Sequence, residues 1–118
     1  MSGSQSDIAR LRHIQDAIWS IQSYLGTSSK DNFMHSPMMR DAVVRQCEII
    51  GEASRYLSDD LKKRYSAIEW KELADFRNVL IHQYFGVDFN IVWEATQSTL
   101  PALLRNVHDI LDDLTNDE

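Results

Sequence analysis

The chain reads as an all-α protein, a helical bundle of four main helices with short helical pieces between them. Three features predict this. Apolar residues recur at spacings of three and four along most of the chain, no segment alternates apolar and polar as a strand would, and the apolar series end at helix caps and stops. At 118 residues with 43% hydrophobic content the chain can bury one core and is too short for two, so residues 1–118 are expected as a single domain.

The first helix carries Ile8, Leu11, Ile14, Ile18, Ile21 and Leu25 on one stripe, with Asp7 as the expected N-cap and Gly26 as the stop. Residues 1–6, rich in Ser and Gly, are expected as a flexible lead-in. After the polar turn 27–32, Phe33-Met34-His35 is expected as a short helical piece that plugs the core. Ser36-Pro37 announces the next helix, Ser as N-cap and Pro where its missing N–H costs nothing. Met39, Ala42, Val43, Gln46, Ile49, Ile50, Ala53 and Leu57 continue its stripe, and Val44, Cys47 and Gly51 give it a second apolar flank, suited to a partner. Glu52, between these series, reads as a solvated acid or a site residue. Ser58-Asp59-Asp60 caps a short helix through Tyr65, and Ser66 with Glu69 fits a capping box for the following one. Asp88 caps a last segment with Val92, Ala95, Leu103, Val107, Ile110 and Leu114 in register, which Pro101 should kink near Ser98-Thr99. The acidic end, residues 115–118 included, is expected to fray, and Trp19, Trp70 and Trp93 sit at helical positions typical of core.

Composition narrows the chemistry. A net charge of -6 and a pI near 5.1 are unusual for a nucleic-acid binder, so an RNA-facing surface has to be a local patch. Lys62-Lys63-Arg64 is the one run of three cations, a solvated face or a possible RNA contact. One cysteine, Cys47, excludes an internal disulfide and a cysteine-based zinc site and suits a reducing cytosol. The four histidines lack metal-binding spacing, the four glycines form no phosphate loop, and neither metal nor cofactor is expected. With no membrane-length apolar run and no signal-peptide stretch, a cytoplasmic location and no membrane partner are expected.

The chemically densest stretch is Arg77-Asn78-Val79-Leu80-Ile81-His82-Gln83-Tyr84. Leu73, Phe76 and Leu80 recur at helical spacing, which places its polar residues at the C-terminal end of a helix. The helix dipole there favours cations, holding Arg77 and raising the proton affinity of His82. An imidazole beside a fixed positive charge suits acid/base work on a phosphodiester. On one helix Arg77 and His82 stand about 140° apart, and Arg77 and Tyr84 only about 20°. Either the chain unwinds near His82 or a second copy supplies the missing group, so a homodimer with a composite site is expected.

Arg-Asn-x-Leu-x-His-x-Tyr-Phe followed by Val87-Asp88 and Val92-Trp93, with Ile50-Gly51-Glu52-Ala53 and Trp70 upstream, resembles the HEPN superfamily, specifically the HepT-like toxins paired with a minimal nucleotidyltransferase (MNT) antitoxin. The resemblance spans roughly Ile8 to Leu114. It implies a HEPN-like bundle and the toxin half of a type VII-like toxin–antitoxin system. The implied activity is a metal-independent endoribonuclease cutting tRNA or mRNA through the Arg-x4-His motif. Arg77 and His82 are then the catalytic pair, with Asn78 orienting the imidazole or the phosphate. The resemblance also implies that Tyr84 accepts AMP from the antitoxin, which neutralises the toxin. The rival reading, favoured by the acidic pI, is a non-catalytic helical interaction or nucleotide-binding subunit of a nucleotidyltransferase.

Overall fold

The computed structural model describes residues 2–75 and 88–116, with side chains from Gln5 onward. Every regular element among them is helical. The order is α1 (Ser2–Leu25), α2 (Lys30–Met34), α3 (Pro37–Arg55), α4 (Asp59–Arg64), α5 (70–75 as described), α6 (Phe89–Glu94), a π-helical turn (Ala95–Thr99) and α7 (Leu100–Asn116). α1 lies against both α3 and α7, and α2 wedges between α3 and α6.

The α1 stripe is buried at all six expected positions, from Ile8 to Leu25. The helix stops at Gly26, whose φ of 52° lies in the left-handed region that glycine adopts without a Cβ penalty. Its start differs from expectation. Residues 2–6 are helical, and Asp7 is no N-cap. Asp7 falls on the buried side of α1 and caps another element instead. Its carboxylate accepts hydrogen bonds from the Ser58 N–H (2.9 Å) and hydroxyl (2.6 Å). Trp19 corrects a second expectation. One step of about 100° beyond Ile18 turns it off the stripe, and it is 51% exposed. Trp70 is buried and Trp93 half-buried against the core.

The remaining caps follow local sequence. Ser29 and Asn32 form a reciprocal capping box for α2, which delivers Phe33 into full burial. Ser36 accepts from the Met39 N–H, with Pro37 opening α3. Ser58 accepts from the Leu61 N–H to start α4, and Asp88 accepts from the Asn90 N–H to start α6. Ser66 is the exception. It lies in a turn, and helical bonding in α5 begins from the Glu69 carbonyl, so the expected capping box is not used. Of Val44, Cys47 and Gly51, read as a flank for a partner, Cys47 and Gly51 are buried in the chain and Val44 is half-buried against its core.

Pro101 acts where expected, by a different route. Lacking an N–H, it cannot donate to the Gln97 carbonyl, and the preceding turn widens to π geometry, with the Leu100 N–H returning to the Ala95 carbonyl. α7 then runs to Asn116, taking in Thr115 and Asn116 of the expected frayed end; the Thr115 hydroxyl donates to the Leu111 carbonyl at 2.7 Å.

Candidate functional site

Arg77, Asn78, His82 and Tyr84 lie outside the described residues, as do Phe76 and Leu80 of the expected stripe. The fold fixes the two ends that flank them. On the upstream side, Trp70 is buried and its indole N–H donates to the Tyr65 carbonyl at 3.1 Å. Leu73, one turn later, packs on the core. On the downstream side, Asp88 caps α6 and Phe89 enters an aromatic cluster. Its ring meets Phe33 edge-on at 6.3 Å, and Phe33 meets Trp93 at 5.5 Å. The two described ends that flank the motif are thus both anchored in one core.

Arg40 sits at the downstream anchor. Its guanidinium lies 4.6 Å from the centre of the Phe89 ring, a cation–π contact, and its buried Nε has no hydrogen-bond partner among the described residues. Sequence reading passed over Arg40, since a cation in the first turn of α3 opposes the helix dipole and carries no motif of its own.

A cleft of about 480 Å³ opens beside α5, between α3 and the α6–α7 arm. Its floor is apolar, with Ile50, Leu73 and Leu103, and its rim is acidic, with Glu69, Glu72 and Glu94. Cys47 lines it, and burial, aided by the nearby Glu48 charge, pushes the thiol up to about 12. Such a thiol is no nucleophile at neutral pH. The acidic rim repels phosphate, so this cleft is poorly suited to an RNA backbone.

A second groove, of about 620 Å³, runs between α1 and α3. Arg10 and His13 face it from α1; Arg45, Glu48, Glu52 and Tyr56 line it from α3. Arg10 lies 5.9 Å from the Tyr56 ring centre. Of these, the sequence offered Glu52 as a solvated acid or site residue and His13 among histidines without metal-binding spacing. Arg10 and Tyr56 belong to different helices, and no local spacing pairs them.

The run Lys62-Lys63-Arg64 occupies the last turn of α4, opposite Asp59 and Asp60 in the first. That arrangement complements the helix dipole. The Lys62 ammonium also donates to the Arg55 carbonyl at 3.0 Å, closing the end of α3, and Arg64 lies over the Tyr65 ring at 5.3 Å. The run has a structural occupation at two of three positions. Among the described residues no group of three His, Cys, Asp or Glu side chains could hold a metal ion, and no helix is long and apolar enough to cross a membrane.

Comparison with known proteins places these features in context. The family description "Ribonuclease HepT-like" matches residues 14–110. A Caldanaerobacter subterraneus protein named as a candidate RNase is 40% identical over 102 residues, covering 86% of this chain and 90% of its own length. The "Probable ribonuclease HepT" of Thermococcus cleftensis is 37% identical over 93 residues, 79% of this chain and 84% of that one. A Methanocaldococcus jannaschii protein named as a gamma-glutamylcyclotransferase and candidate RNase is 38% identical over 104 residues. That match covers 88% of this chain but 47% of the longer relative. No solved structure gives a significant match.

Proposed function

This chain belongs to the HepT-like ribonuclease family, and from that membership we propose that it is a metal-independent endoribonuclease acting as the toxin of a HEPN/MNT toxin–antitoxin pair. The observation that carries the proposal is the Arg77-x4-His82-x-Tyr84 string inside the matched span, flanked by two core-anchored helix ends. Relatives named as RNases support the activity.

RNA brings its own nucleophile, so the protein has to move two protons and stabilise one charge. In the proposed reaction a base takes the 2′-OH proton and the 2′-oxygen attacks the adjacent phosphorus. The P–O5′ bond breaks, and an acid returns a proton to the departing 5′-oxygen. The products are a 2′,3′-cyclic phosphate and a 5′-hydroxyl. His82 serves as acid/base, Arg77 stabilises the phosphorane and Asn78 orients the imidazole or the phosphate. Arg77 and His82 stand about 140° apart on one helix and are brought to one phosphate by pairing two copies, so the working unit is a homodimer, and the site belongs in the cytoplasm, where tRNA and mRNA are.

Neutralisation follows from Tyr84. Its phenol oxygen attacks the α-phosphorus of ATP on the partner nucleotidyltransferase, pyrophosphate leaves, and the tyrosine carries AMP. The new phosphate and adenosine offer Arg77 a competing anion and fill space that an RNA backbone needs.

Purified protein incubated with tRNA and a chelator should release cyclic-phosphate ends, and Arg77→Ala or His82→Ala should stop it. Cleavage by either variant at the parental rate overturns the assignment. The net charge of -6 favours a second reading, a non-catalytic subunit of the nucleotidyltransferase; absence of cleavage by unmodified parent protein would select it. Coexpression with the nucleotidyltransferase should add AMP mass that Tyr84→Phe abolishes.

A further inference from the structure

The groove between α1 and α3 is not explained by the core. A cation and an aromatic ring meet across two helices at its edge, Arg10 against Tyr56. With Arg10 beside it, the Tyr56 side of the groove is still open, the residue being 56% exposed. The Tyr56 ring, at the end of α3 and outside the aromatic pairs among the described residues, leaves much of its surface to solvent beside the Arg10 guanidinium. Arg45, on the same α3 ridge about three turns before Tyr56 and across the groove from Arg10, pairs with Glu48 at 3.5 Å while its side chain stays 68% exposed. Such a surface pair is weak and exchanges readily for a better anion.

We propose that this groove binds an unpaired nucleotide of single-stranded RNA, base on Tyr56 and backbone on Arg10, His13 and Arg45; the proposal deepens the ribonuclease reading and rests on it. Three features favour that occupant. An exposed aromatic ring beside a guanidinium gives a stacking platform for a base of any identity. The basic groups stand on opposite ridges, so phosphates can be held at the groove's edges with the base between them. The two acids, Glu48 and Glu52, disfavour phosphate in the groove itself, yet a carboxylate accepts hydrogen bonds from a base's amino group. The volume of about 620 Å³ falls within the range of small-molecule sites.

The chemistry also predicts a preference. Adenine, cytosine and guanine carry exocyclic amino groups and uracil has none, so oligo(U) should bind weakest. A duplex, whose bases are stacked away, should bind less well than a single strand of equal length.

Fluorescence anisotropy with labelled RNA 12-mers, using the chain with His82→Ala to prevent cleavage, tests this. In that background Tyr56→Leu should weaken single-strand binding about tenfold, and Tyr56→Phe should bind within about twofold of its parent. Arg10→Gln and Arg45→Gln should each weaken binding and lower the dependence of log Kd on log salt by about 1. A urea midpoint close to the parent's certifies that each variant is folded. Parental affinity in folded Tyr56→Leu overturns the proposal, as does tighter binding of duplex than of single strand. Conversion of a dimer to a monomer by Tyr56→Leu, with RNA affinity unchanged, overturns it too and assigns the groove to a second copy of the chain. Failure of the unmodified protein to cleave RNA refutes the ribonuclease reading while leaving the binding result to stand by itself.

Discussion

Removing the Asp7 carboxylate should cost this fold more than its place near the chain's start suggests. Asp7→Ala deletes two short hydrogen bonds to Ser58, at 2.9 and 2.6 Å, from a residue only 6% exposed. It leaves the Ser58 N–H at the first turn of α4 without that acceptor. Hydrogen bonds to a charged group contribute about 1.5–3 kcal/mol each. The Ser58 end is only partly buried and the two bonds share one carboxylate, so a combined loss of about 3 kcal/mol is expected. At about 2.1 cal/mol/K per residue, a chain of 118 residues should lose about 12 °C in Tm. Asp7→Asn should cost about half as much, because an amide oxygen can still accept the N–H and the Ser58 hydroxyl has a lone pair for the amide. Urea unfolding followed by circular dichroism measures both, with the slope m unchanged if the loss is purely energetic. A loss below 1 kcal/mol for Asp7→Ala would refute the idea that this contact clamps α1 to the α3–α4 junction.

Phe33→Ala should lose about 3–5 kcal/mol, since the ring is fully buried and supports both Phe89 and Trp93; calorimetry checks it, and a loss under 1.5 kcal/mol would mean α2 is not the plug described. Gly26→Ala should cost about 1–2 kcal/mol through its left-handed backbone alone, because an added Cβ would have room, the nearest atom being the Ser23 carbonyl oxygen at 3.9 Å. The Cys47 thiol is raised from 9.0 to about 12 by burial, so the folded state holds a proton that the unfolded chain gives up as pH rises past about 9. Stability from this group is therefore intact below pH 9 and falls by about 1.4 kcal/mol per pH unit between 9 and 12. Urea titrations of parent and Cys47→Ala should diverge in slope only in that window. At pH 8, thiol reagents should modify Cys47 no faster than the fold opens.

What sequence made legible was whatever a helix writes within three or four residues. Ser29, Ser36, Ser58 and Asp88 cap the helices that follow them because each side chain reaches an N–H two or three residues on. Gly26 and Pro101 mark their breaks through their own backbone limits. Ser66 failed because a turn with its own hydrogen bonds, Ile68 N–H to Tyr65 carbonyl and Trp70 N–H to Ile68 carbonyl, took the chain before the helix could start. Asp7 failed for the opposite reason: its partner lies 51 residues away, and only packing reveals it. The same holds for Arg40 on Phe89 and Arg10 beside Tyr56. The Arg77-x4-His82-x-Tyr84 string, proposed as catalytic, is legible because one segment carries all its chemistry, and it lies outside the described residues.

The acidic charge balance, which first argued against RNA, is better understood from where the charges sit. Asp59 and Asp60 belong to the first turn of α4, where the dipole favours them, and Lys62, Lys63 and Arg64 to the last. Within that helix the cations offset the acids, and Lys62 and Arg64 already meet the Arg55 carbonyl and the Tyr65 ring. Asp112 and Asp113 lie near the end of α7; Asp112 faces His108 at 3.6 Å and Asp113 accepts the Tyr65 hydroxyl at 3.0 Å. Salt screens charges beyond about 8 Å at physiological strength, so these acids weaken long-range attraction without deciding what happens at a contact. Affinity then has to come from few phosphates and from stacking, which is what an exposed Tyr56 with Arg10 and Arg45 across a groove provides. A surface of that kind holds single strands and declines duplexes, and single strands are what a cleavage needing a free 2′-oxygen aligned with its phosphorus also demands.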